Sequence, residues 1–223
     1  SSLAKQLVES REQVHLVGRD ESSLSELANE LNSSYTACDV LEENFSEKIV
    51  NDLKGEQVNG LAYCVGSIDL KPLKLTKKSD FMQSFNLNLV AATEIIKSLA
   101  DNLKTNKGSI VLFSTVAVKQ GFPNHTIVSS AKGAIEGLTL ALAAEYAPNI
   151  RVNCIAPSLT NSKISNFLLK NEKMAESIAK MHPLKRIGEG SDSASVAKFL
   201  LSDESSWITG QILGIDGGRS SVA

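Results

Sequence analysis

The chain has 223 residues, of which 42% are hydrophobic and 22% charged, a composition typical of a soluble globular protein with one sizeable core. Its formal net charge of −2 gives no electrostatic footprint for nucleic acid or an anionic membrane, so we predict neither partner. No signal peptide is evident, and no apolar stretch approaches the ~20 residues needed to span a bilayer. The three cysteines are far apart and form no CxxC or Cys/His spacing, which predicts reduced thiols in buried strands, a cytoplasmic protein and no metal site (Cys38, Cys64, Cys154).

Short apolar runs alternate with longer periodic segments along the chain. The runs predict strands at 14–18, 35–38, 61–65, 109–114, 151–155 and 211–215, and the periodic segments predict helices near 24–31, 45–53, 79–103, 127–146, 162–181 and 191–201. The strand at 61–65 has no alternating polar residue, so we expect both of its faces to be buried. Strict alternation of strand and helix predicts a single domain over 1–223: an α/β, doubly wound parallel sheet of the Rossmann type.

In such a sheet a ligand lies beyond the carboxyl ends of the strands. Gly18, Arg19 and Asp20 follow the first predicted strand. In dinucleotide-binding folds an acid at this point bonds the ribose hydroxyls of NAD, whereas an arginine accommodates the 2′-phosphate of NADP. Because Arg19 comes first, we predict NADP (NADPH) rather than NAD, the alternative being a solvated turn.

Several segments resemble the short-chain dehydrogenase/reductase family. Residues 129–134 (SSAKGA) resemble its SASKAA helix segment, 182–189 its HPLGRIGEP loop, and 206–211 and 215–218 its FITGQ and VDGG segments. The resemblance runs in order from the first residue to about Arg219. It implies an NADP(H)-dependent oxidoreductase acting on a carbonyl or enoyl group of a small-molecule substrate.

The resemblance also implies a proton relay of named residues. Asn88 matches the family's active-site asparagine, which distorts its helix and holds a water. Thr115 falls on the family's serine, and Ser114 offers a second hydroxyl. Lys132 matches the lysine that binds the nicotinamide ribose, the alternative being an exposed cation. The family's catalytic tyrosine stands four residues before that lysine, and here that residue is Val128, which has no proton to give.

One substitute for the missing acid is His125, seven residues before Lys132. The enoyl-acyl-carrier-protein reductases, a divergent branch of the superfamily, place their tyrosine at that longer spacing. Histidine titrates near neutral pH and can act as a general acid. The alternative is that His125 is a solvent-facing loop residue.

The remaining cofactor contacts rest on the resemblance too. Asp39 and Val40 look like the family's Asp-Val pair, whose carboxylate accepts a hydrogen bond from adenine, although Asp39 could equally cap the following helix. Gly66 ends the segment where the family has Asn-Ala-Gly, with Cys64 in place of the asparagine. After Pro157, either Thr160 or Ser162 supplies the hydroxyl that bonds the nicotinamide carboxamide.

The family would have a strand and a glycine-rich loop before the first helix, so we expect a short N-terminal segment to be missing from this sequence. A homodimer or homotetramer is expected, because the family pairs the helices that carry Asn88 and Lys132 with those of a second subunit, and apolar residues enrich the second of them (Leu138, Leu140, Leu142, Ala143, Ala144). Because the tyrosine is absent, a second hypothesis stays open. The protein would then be a catalytically silent NADP-binding protein with a regulatory or assembly role.

Overall fold

A computed structural model describes residues 2–222 of the chain. Its helices are α1 (Ser2–Glu9), α2 (Glu21–Leu31), α3 (Phe45–Asp52), α4 (Lys78–Phe85), α5 (Ala91–Thr105), α6 (Thr126–Tyr146), α7 (Asn166–Leu169), α8 (Glu172–Lys180) and α9 (Gly190–Leu201). Its strands are β1 (His15–Gly18), β2 (Ser34–Ala37), β3 (Gly60–Tyr63), β4 (Ser109–Phe113), β5 (Arg151–Pro157), β6 (Thr160–Asn161), β7 (Gly188–Glu189) and β8 (Ile212–Ile215). The fold is α/β with parallel strands, as predicted.

The strands form two hydrogen-bonded groups with helices on both faces. β1 pairs with β2, and β3, β4, β5 and β8 form a four-stranded sheet in that order, with every pair parallel. Side chains alternate across β4: Ile110 and Leu112 enter a core with α3, α5 and α6, while Val111 packs against α9 on the other face. This alternation is what a sheet covered on both faces requires.

The prediction that the segment 61–65 is buried on both faces is wrong. Leu61 and Ala62 are only half-buried, and Cys64 is exposed as a residue, whereas the other two cysteines are buried as expected. The reason is that β3 is an edge strand: within residues 2–222 it is hydrogen bonded to β4 alone, and no ladder joins it to β1.

The helix α6 differs from a second prediction. Its 21 residues have a mean hydropathy of 1.3 over an 18-residue window, so by length and composition it is apolar enough to cross a membrane, and the prediction that no such stretch exists is wrong. The helix packs against β5, and 44% of that window is buried. The inner face of the helix therefore serves the core, whereas other apolar residues such as Leu140 face outward.

The segment after β5 is less helical than predicted. The sequence favours helix over 162–181, but the chain first forms the short strand β6, which pairs with β7, and only then the short helices α7 and α8. The β6–β7 ladder joins Thr160 to Gly188 and so fastens the start of this segment to the chain that leads into α9.

Candidate active site

Three segments converge beyond the carboxyl end of β3. A methyl group built on Gly66 would lie 3.0 Å from Asn88 Oδ1 and 3.0 Å from Lys132 Nζ. Only glycine leaves room at this position without displacing one of those two polar atoms. The structure therefore brings together Gly66, Asn88 and Lys132, which the sequence predicts as site residues from three separate elements.

Asn88 lies in a π-helical turn, residues 86–90, that separates α4 from α5. Its side chain is completely buried, and Nδ2 donates a hydrogen bond of 2.9 Å to the Ser84 carbonyl. Oδ1, by contrast, has no hydrogen-bond partner among the described residues. Because an unpaired buried acceptor is costly, this oxygen suits a bound water or ligand group next to Lys132.

Lys132 is buried, with 9% of its surface exposed, so the alternative of an exposed cation is wrong. Burial disfavours the charged ammonium and lowers the pKa of Lys132 to about 8. The amine therefore titrates much closer to neutral pH than an ordinary lysine does.

Val128 stands one helical turn before Lys132 on α6 and is buried, with 6% of its surface exposed. An apolar side chain thus occupies the position of the family tyrosine. No tyrosine from another element takes its place among the described residues: the Tyr63 hydroxyl donates to the Leu87 carbonyl at 2.7 Å, and Tyr146 ends α6 beneath the Lys104 ammonium.

The two hydroxyls after β4 have different surroundings. Ser114 Oγ donates to Glu136 Oε1 at 2.7 Å and is buried against α6, so its proton is engaged in packing the helix on the sheet. Thr115 Oγ1 accepts a hydrogen bond of 3.3 Å from the Ala117 amide and lines a cavity of about 140 Å³. Of the two, Thr115 is the hydroxyl that faces open space.

His125 lies at the N-terminal boundary of α6. Its Nδ1 is 2.8 Å from the Pro123 carbonyl, and its ring contacts the Phe122 ring at a centroid distance of 5.3 Å. It stands seven positions before Lys132, a rise of roughly 10 Å along a helix. No hydrogen bond links His125 to Asn88, Thr115 or Lys132 in the part of the chain that the structure describes.

Arg19 and Asp39 meet at the carboxyl ends of β1 and β2. Arg19 Nη1 lies 3.5 Å from Asp39 Oδ2, and 72% of the arginine side chain is exposed. Such a surface ion pair contributes at most about 1 kcal/mol, so the guanidinium remains available to an anion. Asp20 is not available to a ribose hydroxyl in the same way, because its carboxylate caps α2 through the Ser23 amide and hydroxyl.

The idea that Asp39 caps α3 is wrong. That helix begins at Phe45 after Asn44, whereas Asp39 Oδ1 accepts a hydrogen bond from the Leu41 amide in a tight turn. The adjacent Val40 is buried in the core. Asp39 is thus held at the sheet edge by its own turn and by Arg19.

Pro157 ends β5 opposite Ile215 of β8, and the following residues are tied down by hydrogen bonds. Thr160 Oγ1 donates to the Ser158 carbonyl at 3.0 Å, while the Ser162 hydroxyl bonds Ser165 Oγ. Ser158 Oγ lies 2.8 Å from Nε2 of the buried His182. The Ser158–His182 contact is one that sequence reasoning missed, because the two residues lie 24 positions apart.

These residues fit a nicotinamide dinucleotide. Gly66 forms a cradle that a side chain would fill, and a lone carbonyl oxygen and a buried amine line it (Asn88 Oδ1, Lys132 Nζ). An arginine stands at the far strand ends, where a ribose 2′-phosphate would be accommodated. Among residues 2–222 no group of three or more His, Cys, Asp or Glu side chains could hold a metal ion.

Comparison with known proteins agrees with this geometry. The family described as enoyl-(acyl carrier protein) reductase matches residues 1–220. A tropinone reductase homologue of Arabidopsis thaliana is 30% identical over 227 residues, which cover 97% of this chain and 86% of the relative.

Two solved structures are similar over nearly the whole chain. A short-chain type dehydrogenase/reductase from Mycobacterium ulcerans superposes with a TM-score of 0.92 at 26% identity, covering 98% of this chain and 84% of that one. A Tyr-to-Phe variant of ElxO with NADPH bound gives a TM-score of 0.90 at 27% identity, covering 99% and 93%.

A parallel sheet with a buried lysine, a π-turn asparagine and a glycine cradle at its strand ends defines a nucleotide-binding α/β protein of the oxidoreductase type. With the family match over 1–220, the chain belongs to the short-chain dehydrogenase/reductase family.

Proposed function

We propose that the protein is an NADP(H)-dependent oxidoreductase that reduces a carbonyl or enoyl group of a small molecule. The observation that carries the proposal is the convergence of Gly66, Asn88 Oδ1 and Lys132 Nζ at one point beyond β3. When bound, NADPH supplies the hydride; the protein supplies orientation and a proton. Asn88 and Lys132 are the groups that would hold the nicotinamide ribose and a water.

The preference for NADP rests on the adenosine end. Arg19 is exposed and only weakly paired, while Asp20 is committed to capping α2. A guanidinium binds phosphate through charge-assisted hydrogen bonds, so the 2′-phosphate of NADP gains a partner that NAD lacks. The NADPH-bound ElxO variant supports the same cofactor, because that chain is similar over 99% of this one.

The proton has to come from a group other than residue 128. Lys132 is the best donor, because burial lowers its pKa to about 8 and the unpaired Asn88 Oδ1 also lies beside Gly66. A water that donates a hydrogen bond to Asn88 Oδ1 and accepts one from the Lys132 ammonium would pass this proton towards the substrate oxygen. His125 is the weaker donor, since its ring is engaged with Pro123 and Phe122.

A second candidate function is a catalytically silent NADP-binding protein with a regulatory or assembly role. Val128 favours this candidate, because general acid catalysis contributes typically ~10²–10⁴-fold to a rate and a buried valine contributes none. Retention of the buried Lys132 beside Asn88 favours the enzyme, since burying an amine without a use for it is costly.

The deciding experiment restores the missing hydroxyl. We expect Val128→Tyr to raise the rate of NADPH oxidation with a panel of ketones by about 10²-fold or more, because the new phenol would stand one turn from Lys132. Val128→Phe is the matched control: it adds nearly the same volume, with the same overpacking of a buried site, but no proton. The panel also contains quinones and enoyl thioesters, and calorimetry measures NADPH and NADH binding to each variant.

The outcomes separate the two functions. Wild-type turnover of any panel member, with Val128→Tyr faster and Val128→Phe not, supports the oxidoreductase. A folded Val128→Tyr that binds NADPH and reduces nothing supports the silent binding protein. If neither NADPH nor NADH binds the wild-type protein at millimolar concentration, both candidates are wrong.

A further inference from the structure

The chain after β8 turns back tightly towards the candidate site. Asp216 accepts hydrogen bonds from the amides of Gly218 and Ser220, both at 2.9 Å, and from the Ser220 hydroxyl. Gly217 and Gly218 have positive φ angles of 61° and 87°, which side-chain-bearing residues rarely adopt. The position of Arg219, directly after this turn, is therefore fixed by the backbone.

Arg219 lies where two further segments meet. Its guanidinium carbon is 4.7 Å from the centroid of the Phe122 ring, in the loop before α6, and its Nη2 is 3.6 Å from the sulfur of Met181, which follows α8. The Phe122 ring contacts the His125 ring in turn. The guanidinium is thus stacked on one face and leaves its edge for other contacts.

The same tail borders the candidate site directly. Ser220 and Ser221 line one cavity together with Thr115 and Lys119. Thr115 is the hydroxyl that the family resemblance places in the proton relay. A molecule in this cavity would therefore contact Thr115 and lie beside the segment that carries Arg219, whose own side chain reaches Phe122 and Met181.

Arg219 has no anionic partner in the described part of the chain. It forms no ion pair within 4.0 Å, and the nearby Asp216 oxygens are occupied by their own turn. Partial burial lowers the pKa of Arg219, and the nearby Asp216 charge opposes this shift. A guanidinium has five donors in a planar fork that matches a carboxylate, and a sulfur atom is the one acceptor that it reaches here.

We propose that Arg219 binds a carboxylate of the substrate, so that the molecule reduced at this site is an anionic keto or enoyl acid. The proposal rests on the proposed function for its reaction, but it assigns a charge to the substrate and a residue to that charge. Arg219 is in this view a specificity-determining residue and takes no part in hydride or proton transfer.

The test compares straight-chain keto acids of graded length with their methyl esters. Calorimetry measures the binding of each pair to the full-length protein, with and without NADP⁺. We expect at least one acid to bind about 10- to 100-fold more tightly than its ester, as charge-assisted hydrogen bonds to a carboxylate provide. Arg219→Met, which keeps an apolar stem on Phe122, should abolish that preference while the affinity for the ester stays the same.

Two control variants test whether the effect belongs to Arg219 or follows the loss of any nearby cation. Lys104→Met removes another cation stacked on an aromatic ring, that of Tyr146 at 5.3 Å, and should change nothing. Lys119→Met removes the lysine that lines the cavity itself and should leave the preference for the acid in place. Equal binding of acid and ester at every length, survival of the preference in Arg219→Met, or its loss in Lys119→Met alone would each overturn the proposal.

Turnover separates this proposal from the proposed function. NADPH oxidation with neutral ketones, without a charge preference in binding, overturns the Arg219 assignment and leaves the oxidoreductase intact. A charge preference in binding that vanishes in Arg219→Met, without NADPH oxidation by any acid, supports the assignment and overturns the oxidoreductase.

Discussion

At the residue scale, one substitution changes what the buried lysine has to do. In the family pattern Lys132 would act on a tyrosine one turn away, but Val128 has no hydroxyl to act on. The amine nevertheless stays buried beside Asn88, where burial lowers its pKa. A group that is costly to bury and is still present is better explained by direct use of its proton or charge than by packing.

This burial predicts a pH-dependent stability. The pKa of Lys132 is about 8 in the folded protein and 10.5 when unfolded, so the unfolded state holds more protons between these values. Burial of the Lys132 ammonium therefore destabilises the folded protein fully below pH 8, and this destabilisation disappears as the pH rises towards 10.5. We expect Lys132→Met to raise the free energy of unfolding by about 3 kcal/mol at pH 7.

Urea unfolding of the cofactor-free protein at pH 7 and at pH 10.5 checks this difference. The excess in free energy of unfolding of Lys132→Met over wild type should shrink steadily between the two pH values. The variant should lack activity at both. Lys97→Met, a substitution of an exposed lysine on α5, controls for the loss of one surface charge. An equal gain at both pH values would contradict the assigned burial cost.

At the element scale, the π-turn between α4 and α5 determines where Asn88 points. The Tyr63 hydroxyl, from β3, donates to the carbonyl of Leu87 at 2.7 Å, inside that turn. Burial raises the pKa of Tyr63, so the hydroxyl remains a protonated donor. The strand that carries Gly66 at its end thus also holds the turn that carries Asn88.

We expect Tyr63→Phe to lower the free energy of unfolding by about 1–2 kcal/mol, because it leaves a carbonyl without its buried donor. Catalysis should fall mainly in kcat, since the loosened turn displaces Asn88 from Lys132. Denaturant unfolding and steady-state kinetics measure the two effects. Tyr35→Phe, at an exposed position, should change neither, and an unaffected kcat in Tyr63→Phe would show that the turn is held by other contacts.

Elements with strong periodicity were predictable, and those shaped by contacts distant in sequence were not. α6 and β4 have the expected places because a long periodic segment and a short continuous apolar run are both visible in the local sequence. The ladder of β6 with β7 joins segments 28 residues apart, such as Thr160 and Gly188, and no local pattern indicates it.

Site residues that belong to a sequence motif were predicted, and those without a motif were not. Asn88, Lys132 and Gly66 were found by motif, and the structure brings them together. Arg219, which we propose as a substrate contact, was not among the predicted residues, although it lies in the turn after the last strand and ligands of such sheets lie beyond strand ends. His125 was a candidate by its spacing from Lys132 and by the acid chemistry of histidine, and neither says which group the ring contacts.

At the scale of the whole molecule, the outward face of α6 raises the question of assembly. Leu138, Leu142 and Ala143, which the sequence suggested for an interface, pack into the core instead. The outward residues are Gly137, Leu140, Ala141 and Ala144, which follow one helical stripe. We propose that this stripe contacts a second copy in a homodimer or homotetramer, as the family resemblance implies.

Leu140 is the residue to change, because 52% of its surface is exposed in the single chain. Leu140→Glu would place a charge in an apolar contact without a partner, which should weaken association by roughly 100-fold or more. Size-exclusion chromatography with light scattering at micromolar concentration measures the mass of each species. Leu73→Glu, at another exposed leucine away from α6, should leave the mass unchanged. A wild-type protein that is already monomeric would contradict the proposed assembly, because the stripe would then face water in the native state.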